Sequence, residues 1–278
     1  MKRILIVGAR SYIGESVQAY LNNYQEEYEI AVLDAKALQP EVGMFRGFDC
    51  VFNVAGIAHR KESKENESLY YEVNRDLSVN VAKMAKKAGV KQFILMSTMA
   101  VYGVEEGKIN IYSKPNPVTH YGKSKLQADK EIWQMRDSDF KVAIVRPPMV
   151  YGNNCKGNYQ RLRWLALHTP VFPKVDNKRS MLFIGNLNIF VKRIIDEQCQ
   201  GLYFPQNKEY VNTSEMLRSI AKINGKKVIL LPGFGWISYL PFGIIRKVFG
   251  TLVYEHADDI EKFNFNESMR LTENAEIR

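Results

Sequence analysis

Two residues four apart, Tyr121 and Lys125, carry the clearest chemistry in the chain. At that spacing a helix brings both to one face. A phenol is a poor acid or base at neutral pH while its pKa stays near about 10. A nearby ammonium favours the phenolate. The pair within Tyr121-Gly122-Lys123-Ser124-Lys125 can therefore take a proton from an alcohol oxygen or return one to it. Upstream, Ser97-Thr98 ends an expected strand, and the Thr98 hydroxyl can hydrogen-bond the same oxygen and orient it. Tyr-x-x-x-Lys also arises by chance on solvated helices, so its weight depends on the elements around it.

The first of those elements opens the chain. An apolar run, Ile4–Val7, leads into Gly8-Ala9-Arg10-Ser11-Tyr12-Ile13-Gly14 and then a helical pattern. A glycine turn between strand and helix offers backbone N–H groups and the positive end of the helix to a pyrophosphate. Asp34 closes the second expected strand, 20 residues after Gly14, where a carboxylate can accept hydrogen bonds from an adenine ribose. Two residues pull in opposite directions. Arg10 suits a 2′-phosphate, which Asp34 would repel. NAD is the favoured dinucleotide, with NADP possible. An oxidised nicotinamide would add positive charge beside Tyr121 and favour its phenolate further.

Strands are expected at Arg3–Val7, Glu29–Asp34, Cys50–Val54, Gln92–Met96 and Lys141–Val145. Helices alternate with them, at Gly14–Tyr24, Glu67–Ala88 and Tyr121–Met135. Alternation of this kind implies right-handed crossovers and a parallel sheet covered on both faces. The fold class is α/β, a Rossmann-like doubly wound parallel sheet over residues 1–150. A smaller C-terminal substrate-binding lobe takes 151–278. Helices are expected there at Asn186–Glu197 and Ser214–Asn224, and a segment around 181–200 is expected to pack back on the first domain.

The net charge of +9 comes from basic residues spread along 278 positions, without a zinc-finger or helix-turn-helix signature, so nucleic acid is not an expected partner. Cys50, Cys155 and Cys199 form no disulfide framework and, like His59, His120, His168 and His256, no metal spacing. No metal is expected, and reduced thiols fit a cytoplasmic protein. Leu231–Tyr254 is apolar and aromatic, but Pro232, Pro241, Arg246 and Lys247 interrupt it. Packing on the protein is expected there in preference to a membrane. Tyr70-Tyr71, Phe234 and Trp236 read as packing residues.

In their order these motifs resemble the extended short-chain dehydrogenase/reductase family, in its nucleotide-sugar epimerase, reductase and dehydratase branch. The resemblance covers nearly the whole chain. It implies a cofactor site made by Gly8, Arg10, Ser11, Tyr12, Ile13, Gly14, Asp34, Val54, Ala55, Gly56, Asn74, Ser97, Tyr121, Lys125 and Pro148. Thr98, Tyr121 and Lys125 would be catalytic. Ser97–Gly103 is similar to the family's catalytic strand end, and Arg146–Gly152 to the segment that enters the substrate lobe. Thr98 and Tyr121 would also touch substrate, with Asn158 and Arg179 on the diphosphate of a UDP-sugar. A forked guanidinium and an amide suit that group. A homodimer formed through the helices at 67–88 and 121–135 is a further implication.

Dehydratases of this branch carry an Asp-Glu pair directly after the catalytic Thr. Met99 and Ala100 stand there in this chain and cannot move a proton. What remains is 4-epimerisation through a 4-keto sugar, which leads, or NAD(P)H-dependent reduction of a 4-keto sugar. A non-catalytic dinucleotide sensor would be expected to have lost Tyr121 or Lys125, and both are present.

Overall fold

The structure is a computed structural model that describes residues 1–8, 10–36, 39–58, 62–234, 243–255, 258–260 and 262–274. Trp236, Pro241, His59 and His256 lie outside the described residues, as does the middle of the 231–254 segment. The described residues form two compact units. The first comprises Met1–Gly103, Pro115–Pro147 and Leu187–Phe204. The second comprises Val104–Lys114, Pro148–Asn186 and the chain from Pro205 onward.

The first unit is a six-stranded parallel sheet. Its strands are β1 (Lys2–Val7), β2 (Tyr28–Leu33), β3 (Cys50–Asn53), β4 (Gln92–Met96), β5 (Lys141–Val145) and β6 (Gly201–Tyr203). They lie in the order β6-β5-β4-β3-β1-β2. Strands buried on both faces read as unbroken apolar runs, and Phe93-Ile94-Leu95 and Val142-Ala143-Ile144-Val145 are such runs. Helices α1 (Tyr12–Leu21), α2 (Glu67–Tyr71), α3 (Ser78–Lys87), α4 (His120–Trp133) and α5 (Ile184–Asp196) connect the strands. Val79, Ala82, Ile132 and Phe140 pack with Leu5 and Phe93 in one buried cluster.

The chain leaves β1 towards β2 on one side, and β3 flanks β1 on the other. Such a reversal opens a crevice at the carboxyl ends of the strands. Gly8 follows β1 at that point, and Val54-Ala55 follow β3.

Three expectations need correction. The helix expected at Glu67–Ala88 is one helical stretch broken by a π segment, Glu72–Leu77, between α2 and α3. The insertion places Asn74 inward, and such bulges are common at functional sites. Helix α1 begins at Tyr12 rather than Gly14, because Ser11 caps it: its Oγ accepts the Gly14 N–H at 3.0 Å. Strand β2 ends at Leu33, so Asp34 is the first residue beyond it.

Among its described residues the second unit has no large sheet. Four pairs of short parallel strands, Met149–Tyr151 with Met181–Phe183 among them, accompany the helices Asn158–His168, Thr213–Ile223 and Phe265–Glu273. A buried carboxylate ties these helices together. Glu273 accepts Tyr159 Oη at 2.5 Å, Arg163 Nε at 2.9 Å and Asn224 Nδ2 at 2.6 Å. Among the described residues no helix is long and apolar enough to cross a membrane.

Candidate active site

The glycine turn at the end of β1 is shaped by close approach. Gly8 has φ +98°, and a Cβ there would lie 2.7 Å from the Ala55 nitrogen. A Cβ on Gly14 would lie 2.8 Å from the Gly8 oxygen and 3.0 Å from Val54 Cγ2. Gly8, Gly14, Val54 and Ala55 therefore meet in one cradle that side chains would fill. Ser11 stands where a glycine is usual, and it earns its place as the helix cap. Tyr12 and Ile13 form the first turn of α1 and are half-buried. At the far side of the turn Asp34 accepts the Lys36 N–H on Oδ1 at 3.0 Å and pairs Arg10 Nε on Oδ2 at 3.1 Å. The two residues expected to favour opposite dinucleotides thus neutralise one another.

Lys125 lies one turn along α4 from Tyr121. It is 4% exposed, and its Nζ donates to the carbonyls of Met96 at 3.0 Å and Ala55 at 3.3 Å. A Cβ on Gly56 would come within 2.9 Å of that Nζ and 3.1 Å of Asn74 Oδ1. Asn74 is fully buried; it accepts the Ile57 N–H at 2.7 Å and donates to Ser124 Oγ at 3.1 Å. It clamps the loop after β3 onto α4, which sets Gly56 against Lys125. Burial lowers the Lys125 pKa to about 8, against the opposing field of Asp129.

Tyr121 is held at the start of α4. Thr119 caps the helix by accepting the Gly122 N–H at 3.0 Å. Glu62 accepts the N–H groups of His120 at 3.1 Å and Tyr121 at 2.9 Å. Gly122 lets the helix lie against the turn after Thr98, since a Cβ would sit 2.7 Å from the Ala100 oxygen. The Thr98 hydroxyl lies near the Tyr121 phenol. Burial raises the phenol above its ordinary value, the nearby Thr98 hydroxyl lowers it, and Asp129 and Tyr70 add to the rise. The phenol is protonated at neutral pH unless positive charge comes beside it.

Ser97 does not face outward. Its hydroxyl donates to Asp129 Oδ2 at 2.9 Å. In the second unit, Pro148 is buried, Asn158 is exposed as the first residue of its helix, and Arg179 spends its Nη1 on the Gly250 carbonyl at 2.9 Å. Two residues escaped the sequence reading. Asp129 follows Lys125 by one turn, a lone acid among Leu126, Ala128 and Ile132, and that mismatch was its available signal. Glu62 gave none, because its partners lie almost 60 positions away.

Within the first unit the structure brings Gly8, Gly14, Val54 and Ala55 together at one crevice, and Thr98, Tyr121 and Lys125 around the turn after β4. Among curated proteins, UDP-glucose 4-epimerase of Vibrio cholerae is 29% identical over 90% of this chain and 86% of its own. N-acetyl-alpha-D-glucosaminyl-diphospho-ditrans,octacis-undecaprenol 4-epimerase of Escherichia coli O157:H7 is 28% identical over 94% and 85%. Among solved structures, a dTDP-4-dehydrorhamnose reductase of Clostridium acetobutylicum shares the fold, with a TM-score of 0.78 and 20% identity over 99% of this chain and 100% of that one. Residues 4–167 match the NAD dependent epimerase/dehydratase family, and the chain belongs to that family.

Proposed function

We propose that this chain is an NAD(P)-dependent 4-epimerase of diphosphate-linked hexoses, with a UDP-sugar as its substrate. The observation that carries the reading is the meeting of Thr98, Tyr121 and a buried Lys125 around the turn after β4, behind a glycine-lined cradle. The two relatives described above, one acting on UDP-glucose and one on a lipid-linked diphosphate sugar, are both named for C4.

The cradle fits a dinucleotide. The Gly8–Gly14 turn and the first turn of α1 would hold the pyrophosphate, with Asp34 on the adenine ribose and Lys125 and Asn74 near the nicotinamide half. Bound there, the nicotinamide supplies the acceptor and donor of hydride and, when oxidised, positive charge. Tyr121 then takes the proton from the C4 hydroxyl, Thr98 holds that oxygen in line, and Lys125 stabilises the phenolate. Tyr121 returns the proton after the 4-keto sugar has presented its other face. Asn158 and Arg179 in the second unit are proposed to bind the diphosphate, the latter once its guanidinium leaves the Gly250 carbonyl.

The 3.1 Å Arg10–Asp34 pair favours a second reading, a 4-keto-sugar reductase that takes up NADPH, because a neutralised Asp34 repels a 2′-phosphate less. Denaturing the fresh protein and identifying any released dinucleotide separates the two. An epimerase carries bound NAD and interconverts UDP-hexose epimers without added cofactor. A reductase is isolated empty and consumes NADPH with a 4-keto sugar. A protein that binds neither dinucleotide refutes both. The enzyme is proposed to be a cytoplasmic homodimer, and sedimentation at about twice the 32.0 kDa chain mass would support the dimer.

A further inference from the structure

Behind the site lies a buried charge that the proposed reaction does not use. Asp129 is 1% exposed and sits two turns along α4 from Tyr121 and one from Lys125. Its Oδ2 accepts Ser97 Oγ at 2.9 Å from the end of β4, and Arg146 Nε at 2.9 Å from the end of β5. Arg146 in turn donates from Nη1 to the Tyr102 hydroxyl at 2.9 Å, on the turn that follows Thr98. The other carboxylate oxygen, Oδ1, is buried and makes no hydrogen bond among the described residues. One carboxylate therefore joins two strand ends, the turn after Thr98 and the helix that bears Tyr121 and Lys125.

A carboxylate buried with a single guanidinium is costly, and apolar replacements of such pairs are often neutral or stabilising. We infer that Asp129, paired with Arg146, is a positioning residue that fixes the charge balance of Tyr121 and Lys125 and holds the turn after Thr98 in place. The inference rests on the epimerase reading above.

The groups that face this carboxylate are Arg146, Ser97, Lys125, Tyr121 and Tyr102, and Tyr70 faces Tyr121 from α2. The sign follows from charge alone. The carboxylate disfavours the Tyr121 phenolate and favours the Lys125 ammonium, so it holds both titrations at higher pH. Removing it, and leaving Arg146 uncompensated, moves both downward. A change in packing alone would lower the rate without moving either limb.

The test is Asp129→Asn, which keeps the shape and drops the charge. The pH profile of kcat/KM is measured on UDP-glucose for the wild type, this variant and Asp129→Glu. The expected result is that both limbs of the Asp129→Asn bell move at least half a pH unit lower, while Asp129→Glu restores the wild-type positions. A second readout needs no turnover: the tyrosinate absorbance difference between each protein and its Tyr121→Phe counterpart titrates lower in the Asp129→Asn background. Limbs that stay in place under a reduced rate overturn the inference. If Asp129→Asn does not fold, Ser97→Ala serves instead; it strips a donor that keeps the carboxylate ionised, both limbs then move down, and an unmoved profile again overturns it. A wild type inactive on every nucleotide sugar would instead overturn the epimerase reading, so the two failures are distinct.

Discussion

Replacing Lys125 with methionine should make the cofactor-free protein more stable at neutral pH while removing its activity. The ammonium sits almost out of water, and burial takes its pKa from 10.5 to about 8. A drop of that size corresponds to about 3 kcal/mol between the two protonation states. The folded pKa lies below the unfolded one. The wild type is therefore penalised in full below pH 8 and is relieved as pH rises from 8 towards 10.5. Methionine is apolar and similar in length and carries no such penalty. It strands the Met96 and Ala55 carbonyls, at a cost of about 1 kcal/mol each. The net gain for Lys125→Met at pH 7 is about 1 kcal/mol, and it should reverse near pH 10. Thermal unfolding of both proteins at several pH values checks this, at about 2–4 °C per kcal/mol for chains of roughly this size. A stability difference that stays constant from pH 7 to pH 10 would refute the reasoning, because the buried ammonium is its only source.

Tyr121→Phe should cost about 10²–10⁴-fold in kcat, with dinucleotide affinity retained, as fluorescence titration with NADH would read. Gly8→Ala combines a positive φ with a Cβ 2.7 Å from the Ala55 backbone. It should destabilise the protein by about 2–4 kcal/mol and weaken dinucleotide binding, measured by denaturant melts and calorimetry. Arg10→Ala frees Asp34, so the ratio of NADPH to NADH affinity should fall about tenfold or more, in line with the loss of a charge-assisted hydrogen bond. An unchanged ratio would place the 2′ position away from Arg10.

The sheet was legible because buried parallel strands are written as apolar runs. Gln92–Met96 and Lys141–Val145 fall where the composition placed them. The Tyr121–Lys125 pair was legible too, because helical spacing alone puts both on one face. The π segment was not. It answers to the tertiary clamp of Asn74 on Ile57, and no periodicity over Glu67–Ala88 reports a bond to the loop after β3. Val104–Lys114 fell within the expected first domain of 1–150, although its strand Gly107–Ile109 pairs with Leu252–Tyr254 in the second unit. Three-residue strands carry no alternation, and their partners lie far along the chain. Arg10 and Asp34 were each visible, but only the structure reveals that they meet.

Transfer of deuterium from C4 of a labelled UDP-hexose tests the central claim most directly. If Tyr121 moves only the hydroxyl proton and hydride returns to the carbon it left, the C4 epimer forms without added cofactor and keeps its deuterium. An epimer whose C4 label has exchanged with solvent, or no epimer at all from protein that carries NAD, would contradict the account.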